Sequence, residues 1–369
     1  EGDTVARLGG DEFVVVLVNA SPKAEEAAHV AEAMGERVLA EVRRPFHLDD
    51  ILHLTSGSIG ITLFNDDATS AEILLKQADL AMYKSKESGG NVCHFFDPYM
   101  EATVRERTAL ERDLRTAIEE KQFQLFYQPQ VRDGAYLAGA EALVRWNHPL
   151  RKLVPPNDFI PLAEETGLIV ALGQWVMEAA CKQLVVWATH PETADLMVSV
   201  NVSAREFQQA GFVEHTLATL ESTGVNPGRL ELELTESLLV ANVEEIIAKM
   251  QTLRAKGVSF SLDDFGTGYS SLAYLKRMPL DQIKIDRSFV RDVLTDSNAA
   301  AIARTIVALA GSLGLNVIAE GVETAEQRDF LASCGCHFYQ GFFYSRPLPL
   351  REFEEFIQHS ALVETLSQG

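Results

Sequence analysis

The chain has 369 residues with 47% hydrophobic and 23% charged side chains, a length that suits two average domains with separate cores. Its net charge is −21, from 53 acids against 32 bases, and residues 1–97 share the deficit with 17 acids and 8 bases. A field of that sign repels polyanions, which excludes general nucleic-acid binding, and a small anionic substrate would need metal ions or a local Arg/Lys cluster.

The sequence opens inside a strand pattern, so upstream sequence is expected to be missing. DTVARL and FVVVLV, at 3–18, read as a hairpin whose Gly9-Gly10 turn supplies positive φ. Helical patterns are expected at 21–43 and 70–87, and strands near 53–63 and 92–96. The first, α+β domain is placed at 1–97, where Asp97-Pro98 marks a boundary. A charged connecting helix follows at 98–121, with Leu110, Leu114 and Ala117 at helical spacing.

From 122 to 369 short apolar strands alternate with helical stretches. Strands are expected at 124–131, 138–146, 197–203, 230–235, 258–264, 282–286, 317–322 and 337–343. Eight strands with intervening helices predict a (β/α)8 barrel of the TIM type, with its chemistry at the C-terminal strand ends. The longest apolar stretch, 167–181, is broken by Gln174 and Glu178 and reads as a buried helix rather than a membrane span. Cys93, Cys181, Cys334 and Cys336 have neither disulfide nor CxxC spacing, which fits reduced thiols and a cytoplasmic location.

Seven of the eight strands carry polar groups toward one rim: Glu141 in AGAEALVRW, Asn201 in VSVNVS, Glu233 in LELELTES, Asp263 and Asp264 in FSLDDFGTG, Lys284 and Asp286 in QIKIDRS, Glu320 and Glu323 in VIAEGVET, and Gln340 in FYQGFF. So many carboxylates in one barrel mouth are costly unless cations neutralise them. Side chains alternate along a strand, so Glu141 and Arg145 share a face and offer a metal ligand beside an anion-binding guanidinium. Hard oxygen donors with an Asn amide and no Cys or His suit Mg²⁺ or Mn²⁺ rather than Zn²⁺. Two such ions about 4 Å apart would share a carboxylate and a water that attacks phosphorus in line.

EALVRW, NVS, ELTES, DDFGTGYSSL, IKIDRSFV, AEGVET and YQGFFYS occur in that order and resemble the EAL family of cyclic-diguanylate phosphodiesterases over roughly 105–360. The resemblance implies a TIM-like barrel whose first strand is antiparallel, and two-metal hydrolysis of cyclic di-GMP to linear pGpG. It implies Glu141, Asn201, Glu233 and Asp263 as ligands of one metal, with Asp263 bridging, and Asp264 and Glu320 completing the second. Lys284 matches the lysine that contacts the attacking water, and Glu320 is also a candidate proton acceptor, though the acceptor is left open. Arg145 resembles the substrate-phosphate contact, Gln128 and Pro156 substrate-cleft positions, Gln340 a polar group near the metals, and Asp286 a position lining the metal site. FGTGYSSL, with Gly266 and Gly268, resembles a gate coupled to a homodimer interface and anchored by Glu236 and Glu323. The competing reading is a non-catalytic cyclic di-GMP receptor; intact ligand positions argue against it.

RLGGDEF, GSIGITLF and ADLAMYKSKESGGN resemble the C-terminal half of GGDEF diguanylate cyclases, as far as residue 96. There Gly9 and Gly10 would admit GTP or another nucleotide, Asp11 would bind metal and Glu12 assist. Asp3 matches the acidic position of an inhibitory product site. The family's first metal Asp and phosphate loop lie upstream of the motif, so this stretch is expected to be inactive as a cyclase. His148 reads as a cap or packing residue, and Trp146, Phe207 and Tyr269 as core or cleft walls.

Overall fold

The computed structural model describes residues 2–367, apart from 19, 22, 49, 50, 54, 65–69, 135, 237, 239–242 and 267–271. The chain divides into two units, Glu1–Leu110 and Glu111–Gly369, with the helix Pro98–Glu119 running across the division.

In the first unit Thr4–Gly9 and Glu12–Val16 form an antiparallel hairpin. Only Gly10 of the glycine pair takes a left-handed φ, 52°; Gly9 ends the strand opposite Glu12 and needs no such conformation. The strand expected at 53–63 is two pieces in different sheets. His53 pairs antiparallel with Phe46, whereas Ile59–Ile61 runs parallel to Cys93–Phe95, because Thr55-Ser56-Gly57-Ser58 interrupts the ladder. The helix Ala71–Glu87 packs on the parallel pair and is capped by Ser70, whose hydroxyl accepts from Ile73 N at 3.3 Å. Gly9, Gly10, Asp11 and Glu12 are all exposed.

The second unit is a closed eight-stranded barrel. Its strands are β1 (Phe123–Arg132), β2 (Tyr136–His148), β3 (Met197–Val202), β4 (Leu230–Thr235), β5 (Ser259–Phe265), β6 (Gln282–Ile285), β7 (Asn316–Ala319) and β8 (Phe338–Tyr339). β2 to β8 pair in parallel succession, and β1 closes the ring antiparallel to both β2 and β8. An antiparallel first strand needs only a short turn to reach β2, whereas a parallel neighbour would need a crossover. Two short arms extend the sheet outside the ring: Lys152–Val154 on β2 and Leu348–Pro349 on β1.

Alternation decides what fills the barrel. Val198, Val200 and Val202 on β3, Leu230, Leu232 and Leu234 on β4, and Ile283 and Ile285 on β6 are buried against the surrounding helices. The intervening residues, Ser199, Asn201, Glu231, Glu233, Gln282 and Lys284, point into the ring. The interior is therefore polar through more than one layer.

The helix Ile169–Trp187 passes the length and composition test for crossing a membrane, with mean hydropathy 1.3. Here Leu172, Val176, Met177, Ala180, Leu184 and Trp187 are buried, and the helix packs on β1, β3 and the helix Phe212–Thr223. Each fully buried large side chain contributes roughly 1.5–3 kcal/mol of gross burial, and Gln174 and Glu178 fall outside the buried set. Cys93, Cys181, Cys334 and Cys336 are free thiols.

Candidate active site

Lys284 is fully buried on β6, and its ammonium sits among four carboxylates from four other strand ends. Nζ donates to Glu233 Oε2 at 2.5 Å and lies 2.5 Å from Glu320 Oε1, 3.3 Å from Asp263 Oδ1 and 4.0 Å from Glu141 Oε1. One cation thus faces four acids in a low-dielectric interior. Burial alone would lower the lysine pKa, but Asp263, Glu141, Glu233 and Glu320 together hold it well above its ordinary value.

Asp263 and Asp264 are neighbours on one strand, and regular alternation would aim them to opposite faces. The β5–β6 register shifts between Leu262 and Phe265, and Asp264 adopts a left-handed φ of 53°. The shift and the turned backbone bring both carboxylates to the mouth. Aspartate tolerates that φ better than most residues, and Asp263 Oδ1 accepts the Asp264 N–H at 2.9 Å. Carboxylate oxygens of Asp263, Asp264 and Glu320 lie within 4.8 Å of one another.

Glu141 on β2 accepts from Asn201 Nδ2 at 2.5 Å and from the amide of Gln340, which also donates to Gln128 Oε1 at 3.1 Å. Gly341 permits that placement, since a Cβ there would lie 2.2 Å from Val322 O. Burial pushes the Glu141 carboxyl up, but the Lys284 charge and these donors outweigh it and leave the group below its ordinary value. Glu233 is driven well up by burial and by its acidic neighbours. Burial likewise pushes Glu320 up to about 8, and burial with the charges of Asp263 and Asp286 brings Asp264 to about 6.

The donor set fits divalent cations. Glu233 Oε1 is buried with no hydrogen-bond partner among the described residues, and the carboxylates of Asp263, Asp264 and Glu320 converge on one another. Glu141, Asn201, Glu233 and Asp263 would surround one ion, and Asp264, Glu320 and Asp263 a second.

The remaining candidates lie around this centre. Arg145, half-buried, donates to Val144 O at 2.8 Å and lies 5.3 Å over the Phe126 ring. Asp286 caps the helix Arg287–Arg291 through Ser288 N at 3.0 Å and meets the Asp264 carboxyl. Pro156 is the first residue of the helix Pro156–Thr166, where its fixed φ suits the start, and it takes no part in the carboxylate network. Glu236 is buried and accepts the Gly266 N–H at 3.2 Å. Glu323 is exposed, and its backbone N–H donates to Gln327 at the next helix start. Gly268 and Tyr269 lie outside the described residues. His148 is held by Asp113 at 3.3 Å and accepts from the N–H groups of Leu150 and Arg151, which makes it a turn clamp. Trp146 and Phe207 are core.

Sequence reasoning passed over Gln130, Ser199 and Glu231, which are buried inside the barrel below the mouth. Their signal was present: each stands two residues from a candidate already chosen, on the same face of its strand, next to Gln128, Asn201 and Glu233.

The EAL domain family model matches residues 111–347, and the model described as diguanylate cyclase, GGDEF domain, matches 1–92. The bifunctional diguanylate cyclase/cyclic di-GMP phosphodiesterase MucR of Pseudomonas aeruginosa is 42% identical over 95% of this chain and 50% of its own length. The cyclic di-GMP phosphodiesterase PdeR of Escherichia coli is 40% identical over 95% of this chain and 52% of its own. The chain thus spans about half the length of these curated relatives. A solved structure of the PaMucR phosphodiesterase in a c-di-GMP complex is 45% identical with a TM-score of 0.64, over 66% of this chain and 99% of that one. Ordered motifs, an inverted first strand and a family match over the whole barrel converge: the chain belongs to the EAL-domain family, with a GGDEF-domain segment ahead of the barrel.

Proposed function

We propose that the barrel unit is a cyclic di-GMP phosphodiesterase that opens one phosphodiester to linear pGpG with two divalent cations, Mg²⁺ or Mn²⁺. One observation carries the reading: four carboxylates, those of Glu141, Glu233, Asp263 and Glu320, converge on the buried ammonium of Lys284, and a fifth, that of Asp264, gathers with Asp263 and Glu320. Such an excess of buried negative charge is offset when cations bind. When bound, these ions supply Lewis-acid charge that favours attack of water on phosphorus. Similarity to MucR, PdeR and the PaMucR complex supports cyclic di-GMP as the substrate.

In this reading Arg145 holds the substrate phosphate, with Gln128 and Pro156 along the cleft. Lys284 Nζ orients the attacking water and Glu320, 2.5 Å from it, accepts a proton. Gln340 and Asn201 fix both oxygens of Glu141. Asp286 steadies Asp264, and Glu236 ties the backbone at Gly266. Self-association through the barrel unit belongs to the same proposal, and sedimentation at rising concentration tests it.

The purified chain is incubated with cyclic di-GMP and Mn²⁺, and cyclic and linear products are separated chromatographically. Linear product that disappears on chelation supports the proposal. Binding without turnover in any metal would instead make the barrel a receptor.

A further inference from the structure

We infer that Gln130, Ser199 and Glu231 form a hydrogen-bonded train beneath the mouth that fixes the Gln340 amide, and through it the Glu141 carboxylate, in the orientation metal binding needs. The inference rests on the reading of Glu141 as a metal ligand. Ser199 Oγ donates to Glu231 Oε1 at 2.8 Å. Gln130 Nε2 donates to Ser199 Oγ at 3.4 Å and to Gln340 Oε1 at 3.1 Å. Gln340 Nε2 then donates to Glu141 Oε2 and to Gln128 Oε1, and Gln128 is itself fixed by donating to Ser345 O at 3.1 Å.

The order of donors is set from the Glu141 end, since an ionised carboxylate only accepts and draws the Gln340 NH2 toward it. Burial raises the Glu231 carboxyl above its ordinary value, and at that end the Ser199 hydroxyl is the donor. The Ser199 proton goes to Glu231, leaving its oxygen to accept. Gln130 supplies both hydrogens of its amide, one to each side. That pins the Gln340 oxygen away from Glu141 and its NH2 toward it. Without Gln130 the Gln340 oxygen loses its donor, and the amide is held from the NH2 side alone by Glu141 and Gln128.

The strand registers build the train. Ser199 is paired with Glu141 on β2 and with Glu231 on β4, and Gln130 stands opposite Gly139. A Cβ at Gly139 would lie 2.8 Å from Met197 O, so glycine there allows the close β2–β3 approach beside Gln130. Gln130, Ser199, Glu231 and Gln340 are all buried, where hydrogen-bond partners cannot be replaced freely by solvent. Gln130 and Ser199 are positioning residues, since they act on the metal site only through Gln340 and Glu141.

The test is Mn²⁺ binding to the full chain by titration calorimetry, with no substrate present, for wild type, Q130M, S199A, Q340M and Q130M/Q340M. Partners that orient a ligand change metal affinity by about 10–100-fold, and Q130M is expected to weaken Mn²⁺ binding by about 10-fold. The double variant should be no weaker than Q340M alone, because both substitutions break one path. Wild-type affinity in Q130M, or losses that multiply in the double variant, overturns the train while leaving the metal reading standing. A wild-type chain that binds no Mn²⁺ overturns both. Should Q130M fail to fold, S199A is judged by the same comparison, with affinity equal to wild type counting against the inference.

Discussion

The Lys284 ammonium and the Glu233 carboxylate meet at 2.5 Å inside the barrel, and neither is open to solvent. Removing one partner of such a pair leaves a buried charge without compensation, at roughly 3–5 kcal/mol. K284M should therefore lower the thermal midpoint in chelator, and Mn²⁺ should restore more stability to the variant than it adds to wild type. With cyclic di-GMP the same variant should lose about 10²–10⁴ in kcat, while a change confined to KM would contradict the role given to Nζ.

Glu141 is fixed by Asn201 and Gln340 and takes its remaining stabilisation from Lys284. E141A is expected to abolish metal-dependent turnover while circular dichroism keeps the wild-type signature. A variant that folds and turns over at the wild-type rate would remove Glu141 from the ligand set.

The left-handed backbone at Asp264 separates charge from conformation. D264N keeps a side chain that tolerates φ of 53° and loses only the charge. At neutral pH in chelator it should melt no lower than wild type, since the raised carboxyl is costly when ionised, and it should bind Mn²⁺ more weakly. D264V adds the strain of a branched residue in that region, of order 1–3 kcal/mol, so its midpoint should fall as well. Equal melting of the two variants would argue against the strained geometry.

Glu206 stands in the short helix after β3 and is outside the carboxylate cluster around Lys284; burial raises its carboxyl from 4.5 to about 8, with the Ser203 N–H acting the other way. The folded state holds the proton more tightly than the unfolded chain. The stability this contributes is full below about 4.5 and is lost as pH rises through about 8. E206Q, neutral at every pH, should match wild type near pH 5 and melt higher near pH 9. Melting curves across that range check it, and a constant gap between the two proteins would contradict it.

The barrel was legible because its strands alternate so regularly. LELELT and QIKI alternate apolar and polar residues, and in the structure Glu231, Glu233 and Lys284 bond across the ring while the apolar residues between them are buried. The arms Lys152–Val154 and Leu348–Pro349 were not legible, since three or two residues carry no period. The 46–53 hairpin was missed for the same reason. Clustering of Asp263 with Asp264 depends on a register shift, which no periodicity announces. Gln130, Ser199 and Glu231 are neutral or deep residues whose partners lie on other strands, so only closure of the ring reveals the path they make.

The most direct test of the account is an anomalous-difference map from crystals soaked in Mn²⁺. The account predicts two peaks at the barrel mouth, one among Glu141, Asn201, Glu233 and Asp263 and one beside Asp264 and Glu320, with Asp263 between them. Manganese bound elsewhere, or no peak at the mouth at saturating metal, would contradict it.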